Sequence, residues 1–158
     1  MLRRLFIAFV VSFIGAIFSG CVLSPKYRNT VVIHDVDKAF QQIRSAVLNI
    51  IPVGHRAISP NGREFLSLHF NSDGKGGFKP GVDSLSRYYA QILVLNDRRP
   101  YNIEIWVTQE KAIPRAGGYT YVKAGDNERL AKNLENRLVN ELSKRPEDSN
   151  IIDDFRVF

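Results

Sequence analysis

Three histidines, one cysteine and a scatter of carboxylates are the groups in this chain with the chemistry for catalysis or metal binding. Histidine titrates near neutrality and is the commonest metal ligand, so its context is the first test. His34 lies beside Asp35 and Asp37, His55 opens an extended run, and His69 alternates with Phe65 and Ser67. A carboxylate near an imidazole is what orients a general base. None of the three histidines has the H-E-x-x-H spacing that sets two imidazoles on one helix face. Without convergent ligands they read as partly exposed polar residues on strand ends and faces, and no metal is expected. No serine stands in a G-x-S-x-G elbow. Asp153 and Asp154 are adjacent in an extended run, so they point to opposite faces and form a solvated rim rather than an acid–base pair. Asp73 to Gly81 is rich in glycine and carries Lys75 and Lys79, but lacks the G-x-x-x-x-G-K-[ST] spacing of a phosphate cradle. It reads as a mobile surface loop, and no cofactor is expected.

The aromatic residues are stronger candidates, as binding anchors. Tyr88, Tyr89, Tyr101, Trp106, Tyr119 and Tyr121 fall in three extended runs. Between Tyr101 and Lys111, Tyr101, Ile103, Ile105 and Val107 alternate with Asn102, Glu104, Trp106 and Thr108. The first set claims a core, which leaves Trp106 on a polar face between Glu104 and Thr108. A large aromatic exposed there is a partner anchor. The competing reading packs Trp106 under the loop around Pro114.

Cys21 closes the most specific stretch of the chain. Arg3 and Arg4 precede an apolar run from Leu5 to Phe18, and Ser19-Gly20-Cys21 ends it. A charged start, a run shorter than the roughly 20 residues needed to span a bilayer, and small residues at the end describe a secretory signal peptide. Ser19 and Gly20 directly before Cys21 resemble the lipobox of bacterial lipoproteins, with Phe18 where that family usually carries Leu. The resemblance covers residues 1–21. It implies that the Cys21 thiol is alkylated by a diacylglyceryl group, that the chain is cut ahead of it, and that the new N-terminus is acylated by a fatty acid such as palmitate. Val22 is not the Asp that commonly retains such proteins in the inner membrane. That implies an outer-membrane location facing the periplasm, in a Gram-negative cell.

Composition then bounds the rest. Cleavage leaves 138 of the 158 residues, enough for one domain with its own core. Loss of Arg3 and Arg4 leaves 20 basic and 16 acidic side chains, lowering the net charge from +6 to +4. So small a surplus on an exported domain argues against nucleic acid and for neighbours in the cell envelope. With Cys21 acylated no thiol remains, which excludes disulfides and cysteine-based metal sites.

These residues need a scaffold. Residues 21–29 read as a tether and 30–158 as a single α+β domain. Thr30 to Ile33 suits a short edge strand. Val36, Phe40, Ile43, Val47 and Ile50 then form one apolar stripe of a helix capped by Asp35 or Asp37 and ended by Pro52. Val53–Ser59 and Arg63–Phe70 flank the turn Pro60-Asn61-Gly62, with Phe65, Ser67 and His69 on one face and Leu66, Leu68 and Phe70 on the other. Leu85–Leu95 and Tyr101–Lys111 are two long strands, Ile113–Gly118 a loop, and Tyr119–Lys123 a short strand. Asp126 or Asn127 caps a last helix striped by Leu130, Leu134, Leu138 and Leu142. Glu128 with Lys132 and Glu141 with Arg145 are spaced for helical ion pairs, and Ile151–Phe158 alternates as a terminal strand. The expected fold is a two-layer α+β sandwich: an antiparallel sheet of about four to five strands packed by two helices.

The function expected is that of a non-enzymatic, membrane-anchored envelope lipoprotein, binding or organising another envelope protein through Trp106, Glu104 and Thr108. The rival is an exported hydrolase using His34 or His69 with nearby carboxylates. A carrier enclosing an apolar ligand is a third possibility.

Overall fold

The computed structural model describes residues 29–81 and 85–144. The leader, Cys21, the tether up to residue 28, Arg145, and the run Ile151–Phe158 with Asp153 and Asp154 lie outside them. In chain order the elements are β1 (Val31–Val36), α1 (Phe40–Ile50), β2 (His55–Ile58), β3 (Glu64–Ser67), β4 (Asn71–Ser72), β5 (Phe78–Lys79), β6 (Ser86–Leu95), β7 (Tyr101–Arg115), β8 (Gly118–Asp126) and α2 (Glu128–Ser143).

β6 and β7 are the frame, because their alternation lets one face be wholly apolar. Ala90 stands opposite Val107, Ile92 opposite Ile105 and Val94 opposite Ile103, and all six are buried. The sheet is antiparallel and runs β2-β3-β6-β7. The far edge of β7 is shared: β1 pairs with residues 101–105 and β8 with residues 108–115. This makes six strands, more than the four to five expected. β8 spans Gly118–Asp126, longer than the short strand expected over Tyr119–Lys123. Instead of a loop over Ile113–Gly118, β7 runs on to Arg115 and turns at once through Ala116 and Gly117 (φ 97°). Pro114 is tolerated there because β6 ends at Ser86 opposite Lys111, so no ladder on that side needs its missing N–H.

Both helices cover the apolar face. Ile43, Ala46, Val47 and Ile50 of α1 and Leu130, Ala131, Leu134 and Leu138 of α2 join one core with Phe65, Phe70 and the inner residues of β6 and β7. Full burial of each Leu or Ile contributes roughly 1.5–3 kcal/mol. At the start of α2 the Asn127 side chain accepts from the Leu130 N–H at 3.0 Å, one of the two caps expected. Lys132 meets Glu135 rather than Glu128. α1 begins differently from expectation. Asp35 (φ 54°) forms a bulge in β1, where its N–H donates to Asn102 Oδ1 at 3.2 Å. Val36 then pairs with Tyr101, and α1 starts after Ala39, whose N–H donates to Gln42 Oε1 at 3.3 Å. The strand ladder outcompetes an aspartate cap here.

The glycine-rich stretch after Phe70 is a second departure. It folds as the hairpin β4–β5 rather than an unstructured loop. Asp73 Oδ1 accepts from the N–H of Lys75 at 2.8 Å and of Gly77 at 2.7 Å. Those bonds, that of Gly77 first, hold the Asp73 carboxyl below the usual carboxylate range. A Cβ at Gly77 would collide with that carboxylate. α2 fastens the turn: Arg129 donates to the Lys75 carbonyl at 2.7 Å and Asn133 to the Gly76 carbonyl at 2.8 Å.

Candidate functional site on the outer face of the sheet

A one-residue bulge decides which way His69 points. Leu66 pairs with Gln91, yet Phe70 bridges Tyr88, so β3 holds one residue more than β6 between these pairs. At the bulge Ser67 Oγ accepts from the Ala90 N–H at 2.8 Å, and its hydroxyl donates to the Leu68 carbonyl at 2.7 Å. An inserted residue inverts the alternation beyond it. Phe65 and Ser67 face the core, Leu68 is exposed, and Phe70 turns back into the core. The expected common face of Ser67 and His69 is therefore corrected: His69 lies on the opposite, outer face.

There His69 meets a network. Its Nε2 is 3.5 Å from Glu110 Oε2 and 3.5 Å from an Arg56 guanidinium nitrogen. Glu110 is bound far more closely by Arg87, whose Nε donates to Oε2 at 2.6 Å across the β6–β7 ladder. Tyr89 sets its ring edge-on to His69 at 5.9 Å, and Arg56 stacks over the same tyrosine at 5.4 Å. Arg87 also lies over the Tyr121 ring at 3.8 Å. Partial burial, then Arg87 and Arg56, hold His69 below the usual histidine range, against the opposing pull of Glu110. The result is a neutral imidazole beside a carboxylate committed to arginine. Sequence reading picked out His69 but missed Arg56, Arg87 and Glu110. Arg87 and Glu110 do occupy outer positions of the two long strands, but only the register makes them neighbours.

Trp106 requires the main correction. The alternation places it correctly on the face away from the helix-side core, but it is only 5% exposed and is not an open anchor. Its indole N–H donates to Gln91 Oε1 at 2.9 Å, on the directly opposite residue. Thr108 is also buried, and its hydroxyl donates to Asp126 Oδ1 at 3.3 Å. Glu104 is half-buried. Trp106 and Thr108 are thus enclosed, each with its polar atom hydrogen-bonded to the strand beside it, and neither is an open anchor.

The remaining candidates are dispersed. His34 and His55 are exposed, on β1 and β2. Among the described residues no group of three or more His, Cys, Asp or Glu converges as metal ligands, and no helix is long and apolar enough to cross a membrane. An open groove of about 630 Å³ lies against α2, lined by Lys75, Glu128, Arg129, Lys132, Asn133 and Asn136 with Gly76. A lining this polar does not suit an apolar ligand. No protein-family model matches the chain, and neither a curated protein nor a solved structure matches it.

Proposed function

We propose that this protein is a lipid-anchored cell-envelope module that binds another envelope protein and does no chemistry on it. The leader ending at Cys21 supports the anchor, in the outer membrane where the cell has one. The observation that favours binding over catalysis is Glu110. It is the carboxylate the fold brings to His69, and Arg87 already holds it at 2.6 Å. A base-orienting carboxylate works at about 2.6–3.2 Å from its imidazole, and Glu110 stands at 3.5 Å.

With Trp106 enclosed, the partner surface moves along the same face to Arg56, Tyr89 and His69. Arginine and tyrosine dominate binding hot spots because they combine large contact area with a polar end. A photo-crosslinking residue at Arg56, in cells, tests this. A discrete envelope-protein adduct that disappears in Tyr89→Ala supports the reading; no adduct above that from an exposed site on α2, such as Val139, refutes it. The hydrolase alternative has one favourable observation, the neutral His69 beside Glu110. Turnover of an envelope substrate abolished by His69→Gln would replace the binding reading.

A further inference from the structure

Past Ala112, whose N–H still donates to the Leu85 carbonyl at 2.9 Å, β7 and β8 continue among the described residues as a two-stranded arm closed by Ala116 and Gly117. Residues 111–123 contain three cations, Lys111, Arg115 and Lys123, and no carboxylate. Lys123 is paired with Asp126 at 2.7 Å. Lys111 and Arg115 have no ion pair among the described residues. Alternation puts them on one face of the arm with Ile113, and the cross-strand pairing brings Val122 opposite Lys111. Ile113 and Val122 are each 40% exposed on that face, whereas Tyr119, opposite Pro114, lies on the other.

We propose that this arm is a second membrane contact, lying on an anionic lipid surface. Ile113 and Val122 sit at the acyl boundary, and Lys111 and Arg115, on the same face, sit on the phosphates. An apolar face rimmed by cations is the composition that binds such an interface. At roughly 3.3 Å per residue the arm is about 15–20 Å long, enough to enter a boundary layer about 5–10 Å deep. A second copy fits less well, because each arm would bring the same positive charge to the other.

The route of the chain supports the same occupant. β1 starts at Val31 opposite Ile105, on the edge of β7 that β8 also uses, and runs antiparallel to β7, away from the arm. Ile105 and the arm's end at Arg115 are about 33 Å apart at that rise, and the nine residues 21–29 reach about 30 Å. An anchor on Cys21 and the arm tip can share one membrane plane. The cellular setting rests on the lipid-anchor reading; the chemistry of the arm does not.

The test uses the full chain with Thr120→Cys, opposite Ile113 on the proposed face, carrying an NBD fluorophore, since acylation occupies the only native thiol. The protein is placed in phosphatidylcholine vesicles with or without about one-third phosphatidylglycerol. The expected result is a blue-shifted emission, quenched by spin-labelled acyl chains, in the anionic vesicles alone, and its loss in Lys111→Ser/Arg115→Ser. Ile113→Ser, which leaves the charge intact, should weaken the quenching. Water-like emission in both vesicles overturns the proposal. So does shielding that persists in detergent and rises with protein concentration, which would identify a second copy. Repeating the measurement in Cys21→Ala, held by its uncleaved leader, separates the two readings. A shielded arm in the Cys21→Ala background, beside a wild-type chain with no acyl mass, sinks the lipoprotein reading alone, and an acylated chain with a water-exposed arm sinks this one alone.

Discussion

Glu110 and Arg87 stand directly opposite each other on the two longest strands, with Oε2 and Nε 2.6 Å apart. Both are mostly shielded from water, so removing one partner would leave the other charge poorly solvated, at a cost above the ~0–1 kcal/mol of an exposed pair. Glu110 is also the group that pulls the His69 pKa upward, against burial and two arginines. Glu110→Gln should therefore lower the His69 midpoint further, as read by the imidazole resonances in an NMR titration. An upward shift would contradict the arrangement.

The same histidine sets a pH dependence. Its folded pKa lies below its unfolded one, so the unfolded chain binds the proton more readily. Above about pH 6.5 both states are neutral and His69 has no effect. As pH falls below that, stability is lost until the folded pKa is passed. The melting temperature should decline over this window in wild type and decline less in His69→Gln, as followed by circular dichroism.

Trp106→Ala should be costly, about 3–5 kcal/mol, because it empties a buried site and strips Gln91 of a donor. Leu138→Ala should cost about 2–5 kcal/mol through the core beneath α2. Urea unfolding measures both. A Trp106→Ala variant within about 1 kcal/mol of wild type would return that residue to the surface.

Ser67→Ala should cost about 1–3 kcal/mol, since the buried Ala90 N–H loses its acceptor. Hydrogen exchange at Ala90 localises the effect: protection should fall there before it falls at Ile92.

Much of this architecture is legible from local pattern. The leucine stripe of α2, the Asn127 cap and the alternation of Tyr101 to Val107 depend on neighbours in sequence, and the structure has them as read. What was not legible depends on distant partners. Asp35 reads as a cap until Asn102 claims its backbone. The stretch after Phe70 reads as a loop because Arg129 and Asn133, which fasten its turn, lie more than fifty residues away. Phe70 and His69 exchange faces because Ser67 replaces one ladder bond, and composition does not signal such a bulge. Trp106 shows the limit most clearly: alternation assigns a face but does not say whether that face is open.

Metabolic labelling with a fatty-acid analogue reads the lipid on Cys21 by which the proposed binding module is held to the envelope. Wild type should carry the label and, by intact mass, begin at an acylated Cys21. Cys21→Ala should carry none and keep its leader. Equal label on the two proteins, or a wild-type chain that retains Met1 to Gly20 with a free thiol, would contradict the account.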